Sequence, residues 1–170
     1  MLLTRHSSAS RFALGLLLSL VLLNSAHAKD GEWLTELDLK QYPNKVVYID
    51  FWASWCGPCR DSFPWINAMQ EKYKDKGLVV IGVNLDAEPE AAKLFLKQNP
   101  ANFKLFSDPT GTLAEKYELI GMPSSFVIDG TGKLRHRHVG FKKNKTDQYE
   151  KSIVSLLNEL PNQKISLAQE

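Results

Sequence analysis

The chain holds two cysteines, Cys56 and Cys59, three positions apart within the stretch YIDFWASWCGPCR that runs from Tyr48 to Arg60. Such a pair can exchange disulfides, supply half of a zinc site, cross-link a loop or attach a haem. Haem attachment needs a histidine directly after the second cysteine, and Arg60 occupies that position. A structural zinc site wants four ligands. The chain has no second cysteine pair, and His136 and His138, on one face of a distant strand, lack knuckle or helical spacing, so no metal is expected. A cross-link closing so small a loop restrains the unfolded chain weakly and is a poor staple. Thiol–disulfide exchange fits best, and it depends on where the surrounding elements put the two sulfurs.

The segment VVYIDFW, Val46 to Trp52, is a β-branched and aromatic run of core-strand length, and LVVIGVNL, Leu78 to Leu85, is a second. Both read as parallel central strands buried on two faces. Between them Phe63, Ile66, Met69 and Tyr73 recur at helical spacing up to Gly77, which makes a right-handed strand–helix–strand crossover with a kink expected at Pro64. The cysteines therefore fall at the C-terminal end of the first core strand, where open α/β sheets carry their sites, with Cys59 in the first turn of the helix. The positive end of that helix favours a thiolate at Cys56, and the two-residue spacer lets Cys59 resolve a mixed disulfide formed there.

Downstream, Pro89 and Glu90 open an amphipathic helix that runs through Leu94 and Phe95 to Gln98, FKLF (Phe103 to Phe106) is a short strand, and TLAEKYEL a short helix. SSFVID and KLRHRHV, joined across Gly130 to Gly132, read as an antiparallel hairpin. A last amphipathic helix carries Tyr149, Ile153, Leu156, Leu157 and Leu160 on one face and ends at Pro161. No repeat or linker divides these elements, so one α/β domain is expected. Lys133, Arg135 and Arg137 alternate along the second hairpin strand, a pattern that suits a solvated edge strand protected from pairing with another chain.

Residues 1–28 stand apart from that domain. Arg5 and Arg11 precede the apolar run FALGLLLSLVLL, and small residues end at Ala28, the pattern of a cleavable signal peptide. The run is 12 residues long, short of the roughly 20 that span a bilayer. The reading is a signal peptide at 1–28 and an exported domain at 29–170 with no lasting membrane insertion. Loss of Arg5 and Arg11 takes the formal charge from +2 to 0, and a neutral chain has no general attraction to nucleic acid.

DFWASWCGPC is very close to the active-site segment of thioredoxins, and GMPSSFVIDGTGK resembles the proline loop and hairpin of the same superfamily. An exported chain with an extra helix and strand before that loop, about Glu88 to Phe106, resembles the TlpA/ResA-like branch of periplasmic thiol-disulfide oxidoreductases over roughly residues 44–160. The resemblance implies a thioredoxin fold, a mixed sheet flanked by helices, with Cys56 as nucleophile and Cys59 as resolving thiol. It also implies that Asp50 is the buried acid beneath Cys59, that Pro123 is the cis-proline, and that Trp55, Gly57, Pro58 and Met122 join Pro123 in the substrate-binding face. A carboxyl among Ile49, Phe51 and Trp52 is poorly solvated, which raises its pKa toward the range of a general base. Met122 beside a cis-proline would offer its backbone to an extended peptide.

Two departures from that branch stand out. Many of its members carry a glutamate three residues after the second cysteine and lack the strand acid, whereas this chain has Ser62 there and keeps Asp50. The N-terminal hairpin is also reduced, with about 17 residues between Lys29 and Lys45. Gly57 and Pro58 match the spacer of thioredoxin, whose potential lies near −270 mV against about −120 mV for the strongly oxidising periplasmic type. That gap is worth about 7 kcal/mol. The expected protein is thus a monomeric dithiol reductant with no cofactor beyond its own redox-active disulfide. Its partners would be disulfide-bearing exported proteins, with cytochrome c maturation as one setting, and a membrane thiol reductase that restores the dithiol. The other readings open to the sequence are an oxidase or isomerase, a thiol peroxidase, and a binding module presenting Trp33, Trp55 and Met122 with an inert disulfide.

Overall fold

Val46–Trp52 forms β1, the central strand of the computed structural model, which describes residues 32–161. Every residue of β1 is buried, as expected for an apolar run covered on both faces. The remaining elements are α1 (Gly57–Tyr73), β2 (Leu78–Asn84), α2 (Pro89–Gln98), β3 (Lys104–Ser107), α3 (Thr112–Lys116), β4 (Ser124–Ile128), β5 (Leu134–Val139) and α4 (Thr146–Leu157). The expected signal segment, residues 1–28, lies outside the described residues.

The strands make one mixed sheet in the order β3-β2-β1-β4-β5. β1 pairs in parallel with β2, β2 in parallel with β3, and β4 runs antiparallel to both β1 and β5. The segment 88–106 therefore supplies α2 and the edge strand β3. The reduced N-terminal stretch adds one parallel bridge outside β3, between Trp33 and Leu105, with the Leu34 N–H donating to the Leu105 carbonyl at 2.6 Å.

Side chains of a strand alternate between faces, and β1 uses this to divide the core. Tyr48 and Trp52 pack with Cys59, Phe63, Phe95 and Leu156 under the helices α1, α2 and α4. Val47, Ile49 and Phe51 pack with Ile81, Val83 and Phe126 on the other face, covered by Tyr117 and Leu119 and by Leu34, Leu37 and Tyr42. Asp50 shares the face of Tyr48 and Trp52, the face that α1 covers. Trp52 anchors it, with ring centroids 5.1 Å from Phe63 and 5.0 Å from Phe95.

Gly57 and Pro58 open α1, where the missing proline N–H has no intrahelical partner to lose. The helix continues without interruption past Pro64 and buries Phe63, Ile66, Met69 and Tyr73. A single 3-10 turn follows and stops at Gly77, whose φ of 102° is the left-handed conformation that glycine adopts without strain. On α2 the apolar face is narrower than the sequence pattern implies: Ala92 and Phe95 are buried, but Leu94 is 60% exposed. On β5, an edge strand, Arg135 pairs with Asp129 and Glu159, and Arg137 lies over the Phe126 ring at 4.9 Å. Two of the three alternating charges are thus held by the fold's own groups.

Candidate active site

β1 ends at Trp52, and the three residues Ala53, Ser54 and Trp55 carry the chain to the start of α1. Asp86, just past β2, holds this link. The Ser54 N–H donates to Asp86 Oδ1 and Oδ2 at 3.2 and 3.0 Å, and the Ser54 hydroxyl donates to Oδ1 at 2.8 Å. Asn84 Nδ2 donates to the other oxygen at 2.8 Å, so the buried carboxylate is fully engaged. The Cys56 N–H returns to the Ala53 carbonyl at 3.1 Å and completes the turn.

Cys56 occupies the N-cap of α1 and is joined to Cys59 by a disulfide, with the Cα atoms 5.3 Å apart. The helix dipole thus points its positive end at Cys56. Cys59 is fully enclosed and Cys56 is 5% exposed. The sequence reading ranks the two sulfurs in this order but expects a more open Cys56. What reaches solvent at this end is its neighbours, Trp55 at 71% exposure and the exposed Gly57 and Pro58.

The Met122–Pro123 peptide bond is cis. Pro123 is buried and Met122 half-buried, and the loop is tied at two points: Gly140 N–H donates to the Pro123 carbonyl at 2.8 Å, and the Ser124 hydroxyl to the Gly121 carbonyl at 2.7 Å. Trp33 sits apart from this surface. It lies beyond β3, four strand positions from β4, which at about 4.8 Å per strand is roughly 19 Å across the sheet. Trp33, Trp55 and Met122 therefore do not form one patch.

Asp50 is 2% exposed, and its Oδ2 has no hydrogen-bond partner. Burial raises its pKa well above the usual carboxylate range. It borders a cavity of about 10 Å³ lined also by Tyr48, Ser62, Pro123, Ser125 and His138, close to the smallest space that holds one water. Ser62, in place of the glutamate seen in the TlpA/ResA-like branch, donates its hydroxyl to the Cys59 carbonyl at 2.9 Å while lining this cavity. The cavity thus lies against the first turns of α1, the turns that carry Cys59. Burial, followed by the Asp50 charge, raises the Tyr48 pKa, which keeps that hydroxyl protonated.

Three residues of this site were absent from the sequence reading or misplaced by it. Asp86 carries no motif, and its distance of 32 positions from Ser54 hides the pairing. Ser125 and His138 reach the cavity only through strand register, because Asp50 pairs with Ser125 and Ser125 with His138. His138 was placed on a distant strand, whereas it borders the same cavity as Asp50. The alternation of His136 and His138 gave a common face, but not which face.

The redoxin family pattern matches residues 25–153 of the chain. The thiol-disulfide oxidoreductase ResA of Bacillus thuringiensis subsp. konkukian is 34% identical over 119 residues, 69% of this chain and 69% of that protein. The thiol:disulfide interchange protein DsbE homolog of Paracoccus denitrificans is 39% identical over 109 residues, 63% of this chain and 56% of its own length. Among solved structures, a Chlorobium tepidum protein described as a thiol:disulfide interchange protein DsbE superposes with a TM-score of 0.69 at 50% identity, covering 71% of this chain and 86% of that one.

Proposed function

Because the chain belongs to the redoxin family and is a thiol-disulfide oxidoreductase, we propose that it works as a dithiol reductant of disulfides in exported proteins, with apocytochromes c among the clients. The observation that carries this reading is the cavity that the buried Asp50, its Oδ2 unpartnered, shares with Ser62, whose hydroxyl donates to the carbonyl of the disulfide-bonded Cys59. A reductant must discharge a mixed disulfide quickly, and a carboxylate of raised pKa that reaches the resolving thiol through this cavity serves that step.

In the reduced protein the Cys56 thiolate attacks one sulfur of the client disulfide. The client's S–S bond breaks, one client sulfur leaves as a thiolate that takes a proton from water, and the other remains bound to Cys56. Asp50 then takes the Cys59 thiol proton. The Cys59 thiolate attacks Cys56 Sγ, the bond from Cys56 to the client breaks, and the second client sulfur leaves. Two electrons have passed to the client, and the enzyme is left with its Cys56–Cys59 disulfide. Trp55, Gly57 and Pro58 on one side and Met122 and Pro123 on the other form the face against which the client chain lies. A membrane thiol reductase returns the pair to the dithiol.

Equilibration of the purified protein with glutathione or dithiothreitol buffers tests the direction of electron flow. A potential more negative than about −200 mV is expected, and one above about −150 mV would make the protein an oxidant and overturn the reading. Insulin reduction with dithiothreitol tests the enzymatic role itself, since an inert disulfide would leave the rate of turbidity unchanged.

A further inference from the structure

Asp50 is buried and its pKa is raised, so it must release its own proton to solvent before it can take the one on Cys59. Asp50, Ser125 and His138 form one row across three adjacent strands: Asp50 is the register partner of Ser125, and Ser125 is the register partner of His138. Register partners of neighbouring strands point to the same face. All three line the same small cavity of about 10 Å³, and the Asp50 Oδ2 has no hydrogen-bond partner. The Ser125 hydroxyl lies 3.3 Å from His138 Nδ1. His138 is half-buried on the edge strand β5 and is the member of the row nearest the rim of the sheet.

We infer that His138 is the residue through which Asp50 exchanges its proton with solvent, by way of the cavity and the Ser125 hydroxyl. The inference rests on the role of Asp50 as base for Cys59. Protonated Asp50 gives its proton to a water in the cavity, the water gives one to the Ser125 oxygen, and Ser125 passes its own proton to His138 Nδ1. The imidazolium so formed loses a proton from Nε2 to bulk water. Exchange with solvent returns the ring to its starting tautomer. One proton leaves, the Asp50 carboxylate is restored, and no electron moves.

The surroundings suit a carrier. The groups that face His138 are His136 on its own strand, with the two rings parallel and their centroids 6.4 Å apart, Ser125 on β4, Tyr48 and Asp50 on β1, Ser62 on α1, and Tyr149 on α4 at 5.0 Å. No carboxylate other than Asp50 is among them to hold the imidazolium in place. Burial, followed by the neighbouring His136, lowers the His138 pKa and leaves the ring neutral and ready to accept a proton near pH 7.

The test separates the two steps with dithiobis-nitrobenzoate and the reduced full chain. The first equivalent of thionitrobenzoate reports attack by Cys56 and the second reports resolution by Cys59. In His138→Ala the second phase should slow about tenfold relative to the first, and added imidazole should restore it in proportion to its concentration. His138→Gln, which keeps a polar contact to Ser125 but carries no proton, should behave alike. The wild type should ignore imidazole, and Asp50→Asn should be slow in the second phase and beyond its rescue. A second phase at the wild-type rate in both His138 variants, or one slowed but indifferent to imidazole, would remove the relay and leave Asp50 as base. If Asp50→Asn resolves as fast as the wild type, the base reading fails and the relay with it.

Discussion

Ser54 gives both its backbone N–H and its hydroxyl to one carboxylate, that of Asp86 at the end of β2. The link between β1 and α1 is thereby fixed to the neighbouring strand two residues before the Cys56 sulfur. Hydrogen bonds to a charged group contribute about 1.5–3 kcal/mol each at most, and they are not additive. Asp86→Ala leaves Ser54 and the buried Asn84 amide unpaired and should lower the unfolding free energy by about 3 kcal/mol. Attack by Cys56 should slow as well, because the loop that aims it is loosened. Asp86→Asn keeps an acceptor and should recover part of both losses. Urea titration and the first phase of thiol exchange read the two effects. A stability loss with an unchanged first phase would confine Asp86 to the scaffold.

Burial holds the Asp50 pKa well above the usual carboxylate range, so the folded chain keeps a proton that the unfolded chain has already released. Between the unfolded value, about 3.9, and the raised folded one, the folded state binds more protons and stability falls as pH rises. His138 acts in the opposite sense, because burial and His136 lower its pKa. The unfolded chain then binds the extra proton, and this part of the stability is lost as pH falls below about 6.5. Comparing Asp50→Asn with the wild type cancels the His138 contribution. The variant should gain on the wild type from about pH 4 upward, with the gap levelling once Asp50 has ionised. Denaturant titrations across that range measure the gap, and one that does not change with pH would mean that Asp50 titrates as an ordinary carboxyl.

Much of the frame behind these residues is legible in the sequence. Val46–Trp52 contains no charged residue but Asp50 and reads directly as a core strand, and the period of Phe63, Ile66, Met69 and Tyr73 leaves one helical face to bury. What the sequence hides is register. Period two places His136 and His138 together, but only the pairing of β1 with β4 and of β4 with β5 brings His138 into line with Asp50. Leu94 shows a different limit. It is apolar and at helical spacing, yet α2 is short, and Ala92, Phe95 and the half-buried Leu96 make its contact with the core. Exposure of a sulfur is a tertiary property too, and Cys56 is buried in the cluster that includes Trp52 and Phe63.

Gly82 pairs with Asp50 from β2 and makes room for the Trp52 and Phe103 rings of the core. A Cβ at this position would stand 2.8 Å from Phe103 Cε2, 3.1 Å from Trp52 Nε1 and 3.2 Å from Leu105 Cδ2. The first distance is a clash with a rigid ring that Phe63 backs at 5.4 Å. Gly82→Ala should therefore destabilise by about 1–3 kcal/mol despite the better strand propensity of alanine. An unchanged denaturation midpoint would show that the Phe103 and Trp52 rings yield freely.

The division of labour between the sulfurs gives the last prediction. Cys56 stands at the positive end of α1 beside the exposed Trp55, whereas Cys59 is enclosed one turn into the helix. A client disulfide can reach only the first, and the enclosed thiol can reach only the mixed disulfide that follows. In Cys59→Ser the first exchange proceeds, but no internal thiol remains to break the bond from Cys56 to the client, so clients should accumulate as covalent adducts. Cys56→Ser should capture none, because Cys59 lacks both access and the full effect of the helix end. Asp50→Asn combined with Cys59→Ser should trap as well as Cys59→Ser alone, since the base acts after capture. Expression of the variants with an affinity tag, non-reducing gels and identification of the adducts would read all three results and name the clients. Adducts on Cys56→Ser in equal yield would reverse the assignment of attacking and resolving thiol.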